Sequence, residues 1–367
     1  MNRAFSYFLA ALVLIAADSA SARATTPPND EPPLKLVQTI PLKNIPVEQA
    51  NAAPADMAKE VQTSRMPNLK NHFDHFEVDL KRHRLFVTPE DHKRLDVYDL
   101  RTGKLIHTIG GIGRAHSVLY RPDIDEIFVT DGDEGYLRIY KGRSYRPVRN
   151  IRLLVDADAI GYDPATHYLY IDNGGLDAGI KYCVLSIVDT NKGEHVGDIR
   201  IDSNRVEAMV LEKSGPRIFL NMVEKSQVAV IDRAKRAVVA TWPVTGGRIN
   251  VGIALDEEHH RLFVACREGK LMVFDSDTGE VLQTLPIATG VDDMVYDPVR
   301  HRIYVTCGEG FVNVYEQIDA DHYRSIGAVP TGPLGKTGRL VPEWNRYFVA
   351  VPPYGNTLAQ VMVFEVQ

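Results

Sequence analysis

YDPVRHRIYV, residues Tyr296–Val305, reads as the end of one buried strand, a tight turn and the start of a second strand. The same ten-residue phrase recurs as VDLKRHRLFV from Val78, YRPDIDEIFV from Tyr120, YDPATHYLYI from Tyr162 and LEKSGPRIFL from Leu211. It returns as LDEEHHRLFV from Leu255 and LVPEWNRYFV from Leu340, so seven copies begin 41 to 49 residues apart. A period of roughly 40–45 residues filled with short strands is the signature of propeller blades. The fold class is therefore all-β, a seven-bladed β-propeller.

Each blade follows one grammar. A first strand, such as Asp292–Tyr296, lines the centre, and a second, such as Arg302–Thr306, follows the turn. A third ends in Asp at Asp99, Asp189, Asp232 and Asp275; the fourth follows a polar turn such as Ser276-Asp277-Thr278-Gly279. Asp closing its side chain onto the turn and Gly taking positive φ explain these residues structurally. VQTIPL (Val37–Leu42) matches LQTLPI (Leu282–Ile287), which is a fourth strand. The chain thus opens with a fourth strand and ends, at Gln360–Glu365, with a third. Together they complete the last blade and remove its open edge.

Residues 1–22 carry Arg3, an apolar run from about Phe5 to Ala17 and an Ala20-Ser21-Ala22 cleavage site. They read as a secretory signal peptide, because the apolar run is too short to span a membrane comfortably. Residues 23–33 form a Pro-rich linker and 34–367 the propeller. The segment 43–71, far longer than the equivalent connections, contains a helix-like piece, Pro54–Val61, and is expected to cover the channel mouth as a lid. Extra residues also fall in Asn173–Tyr182 and Pro352–Asn356, on that same face. The expected location is periplasmic or secreted, with no membrane span after cleavage, and the expected state is a monomer. A net charge of −6 argues against a nucleic-acid partner, which would require a basic surface.

Four residues before each phrase stands the residue that opens the central strand. Round the ring these are Asp74, His116, Asp158, Glu207, Val251, Asp292 and Lys336, with His75, Asn250 and Asp293 beside them. Second-strand ends add Asp131, Asp172, Asn173, Asn221 and Arg267. These residues are the candidate ligand-binding set, and Asp74, His116, Asp158, Glu207 and Asp292 are the candidate metal ligands. Converging carboxylates repel, so some must hold protons, pair with Lys336 or Arg267, or bind a cation. Oxygen donors suit Ca²⁺ or Mg²⁺, whereas His75 or His116 would suit a transition metal. Three readings follow: a solvated channel, a binding site for a small ligand, metal or protein partner, and a metal-assisted lactonase or lyase. Catalytic residues are not assigned.

Other motifs exclude chemistries. C-x-x-C-H, G-x-S-x-G, P-loop and H-E-x-x-H patterns are absent. Cys183, Cys266 and Cys307 are expected to be free, because Cys266 and Cys307 hold equivalent positions in neighbouring, diverging blades.

The stretches IYVTC (Ile303–Cys307), IFVTD (Ile127–Asp131) and LFVTP (Leu85–Pro89), with VFDSDTGEVLQTLPI (Val273–Ile287), resemble the YVTN-type repeats of the YncE-like family of exported bacterial propellers. The resemblance runs from about Leu34 to Gln367. It implies a seven-bladed propeller outside the cytoplasm and leaves the activity open.

Overall fold

The structure, a computed structural model, describes residues 31–45 and 71–367. The signal peptide, most of the linker and nearly all of the 43–71 segment, including Pro54–Val61, lie outside the described residues. What is described is seven four-stranded antiparallel sheets, one for each copy of the phrase.

The phrase folds as a hairpin for local reasons. Its sixth residue takes a left-handed conformation in six copies, at His83, Asp125, His167, His260, His301 and Asn345, with φ between 51° and 59°. That is the geometry of a type I turn ending in a left-handed residue, which matches the twist of the flanking strands. The second residue, where it is Asp, holds the turn. Asp79 accepts the backbone N–H groups of Lys81 and Arg82, and Asp297 those of Val299 and Arg300. Asp99 and Asp275 do the same for the later turn, accepting from Thr102 and Thr278 before left-handed Gly103 and Gly279. The turn-forming role expected of these aspartates is what the structure shows.

Strand Leu34–Pro41 pairs antiparallel with Gln360–Val366 and forms the outer edge of the last blade's sheet. Its register shifts between Leu36 and Gln38, as the third-to-fourth-strand pairing does between Val97 and Tyr98 and between Val273 and Phe274. The opening strand is thus equivalent to every other fourth strand, down to the bulge that adds twist at the blade's rim. Leu34 packs with Tyr304 and Val314 of the sixth blade, whereas Ile40 packs with Leu85 and Tyr98 of the first. One strand therefore buries its two ends against two different neighbours.

The core lies between blades rather than around one centre. Phe86 and Val97 of the first blade meet Val118 and Val129 of the second, and Phe263 and Val273 of the fifth meet Ile303 and Val305 of the sixth. Cys183, Cys266 and Cys307 are free and buried in these layers, as their spacing requires. No helix among the described residues is long and apolar enough to cross a membrane.

Candidate functional site

The central strands run from one face of the ring toward the phrase turns on the other. Their opening residues pair with the ends of the second strands: Asp74 N–H donates to the Thr88 carbonyl, Asp158 to Asp172 and Glu207 to Asn221. This shared register delivers one side chain per blade to the same depth. The result is a cavity of about 500 Å³ that Asp74, His75, His116, Asp158, Glu207, Asp292 and Lys336 line as expected. A second cavity of about 420 Å³ adjoins it, sharing His75, Ala208 and Asp292 and walled by residues such as Val118, Ile160, Met209 and Met294.

The polar ring is divided into two electrostatic halves. On one side Asp292 is claimed by two cations: Arg267 donates to its Oδ1 at 2.6 Å and Lys336 to its Oδ2. Burial would raise the Asp292 pKa, but Lys336 and Arg267 outweigh it and hold the carboxyl below its ordinary value. Glu207 is likewise occupied, by Arg205 at 2.7 Å. Both were expected as metal ligands; the structure instead gives each a cationic side-chain partner.

On the other side the acids gather around imidazoles. His116 Nδ1 lies 2.5 Å from Asp74 Oδ2, 3.5 Å from Asp158 Oδ1 and 3.8 Å from Glu90 Oε2. His75 reaches Asp293 through Nδ1 at 2.9 Å, and its Nε2 stands 3.5 Å from Asp74 Oδ1. Ligand atoms of Asp74, Glu90 and His116, and separately of Asp74, His75 and Asp158, all fall within 4.8 Å of one another. These two trios are where the described residues could hold a metal ion.

Charge balance explains the protonation. Burial, and then the carboxylates Asp74, Glu207 and Asp156, push Asp158 up to about 8 even though His116 pulls the other way. Asp156 rises to about 6 through burial and Asp177. Burial opposes charge on both imidazoles, yet Asp158 and Asp74 hold His116 protonated, and Asp293 and Asp74 hold His75 protonated, well above the usual range. Asp172 is displaced furthest in meaning: the equivalent Thr130 and Asn221 donate to the next blade's Asp158 and Val251 carbonyls. A carboxylate there can donate nothing, and burial with Asp158 and Glu207 nearby raises its pKa strongly.

Several expected members do not reach the cavity. Asn250 is fully buried between blades, where its Nδ2 donates to Asn221 Oδ1 and the Gln227 carbonyl. Asp131 braces Arg138 and accepts from Gly113 and Arg114 N–H groups; Asn173 bonds Ser186 and Leu154. Asp293 faces the second cavity, held by the Gly338 N–H at 2.9 Å as well as by His75.

Other members were missed. Glu90 sits on a 3₁₀ turn, Glu90–His92, and pairs with His72 at 2.7 Å. Asp156, Asp177, Arg114 and Arg205 also line the mouth. Glu90 stands in the first blade where Arg267 stands in the fifth, the same distance past the start of its phrase, so extending Arg267's register to the first blade would have found it. Asp177 confirms that the enlarged loop after Gly174 contributes to this face.

No protein-family model and no curated protein sequence matches the chain. Solved structures do resemble it in shape. A chain of a mitotic checkpoint complex aligns with TM-score 0.70 at 12% identity, covering 97% of this chain and 99% of that one. A hydrazine synthase chain from Kuenenia stuttgartiensis gives 0.69 at 15%, covering 83% and 99%, and the RRP9 WD40 repeats 0.69 at 10%, covering 82% and 96%. Identities this low establish the propeller fold alone.

Proposed function

We propose that this chain is an exported, YncE-like propeller that binds a cation at the acidic half of its channel mouth. One observation carries the reading: nine carboxylates line the cavity against four arginine and lysine side chains. Two of those cations are spent on Asp292 and one on Glu207, so the charge around Asp74, Glu90 and Asp158 is balanced by protons on His72, His75 and His116, which a bound cation would replace. Without a counter-ion the ring must retain protons instead, as the raised Asp158 and Asp156 values record. A metal ion, an organic ammonium or a basic side chain of a partner protein would each relieve that repulsion.

Calorimetric titration of the EDTA-treated protein with Ca²⁺, Zn²⁺ and spermidine at pH 7.5 tests it. At least one should bind with unit stoichiometry, and Asp156→Asn/Asp158→Asn should weaken that binding at least tenfold. Binding unaffected by the double substitution, or no binding to any of the three, would reject the mouth as a cation site.

The catalytic alternative, a metal-assisted lactonase or lyase, draws on the pairing of Asp74 with His116 beside the proton-bearing Asp158. Such a trio could pass a proton to a leaving group. A lactone panel hydrolysed by the parent and not by Asp158→Asn would favour it.

A further inference from the structure

We propose that the cation of the mouth is a first-row transition metal such as Zn²⁺, ligated by His75 Nε2, Asp74 Oδ1 and the Asp158 carboxylate, with Asp293 orienting the histidine from behind. The inference rests on the cation-binding reading above and makes it specific.

The first argument is geometric. Two donor atoms about 2.1 Å from a tetrahedral zinc stand about 3.4 Å apart. His75 Nε2 and Asp74 Oδ1 are 3.5 Å apart, too far for a good hydrogen bond and close to the spacing across such an ion. The Asp158 carboxylate completes the trio within 4.8 Å.

The second argument is the outer shell, which is independent of the acid count. A metal-bound histidine almost always gives its other ring N–H to a carboxylate or carbonyl. His75 does so through Nδ1 to Asp293 at 2.9 Å, and Asp293 is itself fixed by the Gly338 N–H at 2.9 Å. Asp74 shows the same division: His116 holds its Oδ2 at 2.5 Å and leaves Oδ1 turned to His75. The outer groups come from the second, sixth and seventh blades, so the arrangement exists only in the closed ring.

The third argument is donor type. An imidazole donor selects the metal class: oxygen-only sites suit Ca²⁺ and Mg²⁺, whereas a nitrogen ligand shifts preference toward Zn²⁺ and its neighbours. Lys336 stands nearby, but its ammonium is already engaged by Asp292.

The test uses the full chain, stripped with EDTA and titrated with Co²⁺ to read the visible d–d bands, then with Zn²⁺ in competition. The parent should bind one Co²⁺ with a four- or five-coordinate spectrum that Zn²⁺ abolishes, and Ca²⁺ should not. His75→Gln should lose at least a hundredfold in Zn²⁺ affinity, and Asp293→Asn should lose 10–100-fold while keeping unit stoichiometry. Equal Zn²⁺ affinity in parent and Asp293→Asn, or in parent and His75→Gln, overturns the assignment. Ca²⁺ or spermidine binding that depends on Asp158 but not on His75 would overturn it too, while leaving the cation-binding reading intact. If His75→Gln does not fold, Asp293→Asn alone decides, because it removes no ligand.

Discussion

Asp292→Asn should be the most damaging conservative change at the mouth. Asp292, Arg267 and Lys336 have side chains only 7%, 5% and 7% exposed, and the carboxylate is the group that both cations share. The amide keeps the shape and one acceptor but removes the charge, so two buried cations face each other across a neutral group. Breaking a buried ion pair by deleting one partner costs about 3–5 kcal/mol. In a chain of this length that corresponds to a fall in Tm of about 4–7 °C. The cost should be largest near neutral pH and shrink on acidification. Asp292 has a depressed pKa, so its contribution is present above the ordinary aspartate value and lost as pH falls through its folded one. Scanning calorimetry of Asp292→Asn, Lys336→Met and the double variant supplies the check. The double variant should regain a large part of the loss, since the uncompensated ammonium is gone and the two changes are coupled. A Tm within 2 °C of the parent for Asp292→Asn, or strict additivity in the double variant, would refute the shared-carboxylate account.

Asp158→Asn should behave oppositely. Asp158 is raised to about 8, so the stability tied to its proton is full below the ordinary aspartate value and disappears as pH climbs through about 8. The metal-free parent should therefore lose roughly 3 kcal/mol between pH 6 and pH 9, and Asp158→Asn should flatten that decline in a pH series of urea midpoints. A chain lacking residues 31–42 should aggregate or melt far earlier, because strand Gln360–Val366 then becomes an uncovered edge; a soluble variant of parental Tm would contradict the closure. Gly132→Ala should loosen the His116–Asp74 contact and cost about 1–3 kcal/mol, since a Cβ there would lie 2.6 Å from His116 Nε2.

The blades were legible because their determinants are local. Where the phrase carries aspartate at its second place and a left-handed residue at its sixth, the two act within four residues of each other, so those copies spell their own turn. Closure by Leu34–Pro41 was legible too, because a fourth strand carries a recognisable pattern wherever it stands in the chain. Register then followed: counting back four residues from each phrase correctly brought Asp74, His116, Asp158, Glu207, Asp292 and Lys336 to one mouth. What the sequence could not apportion was partnership. Whether Asp292 binds a metal or neutralises Lys336 and Arg267 depends on side chains 44 and 25 residues away, on neighbouring blades. Asn250 looked equivalent to its neighbours and was turned inward instead, where it ties two blades together. His75 acquires its meaning only from Asp293, which reaches it across the ring from the sixth blade. A repeat fixes each residue's depth in the channel, because depth is set within a blade. Pairing is settled between blades, where Coulomb attraction and desolvation compete over a few ångströms that only the closed ring defines.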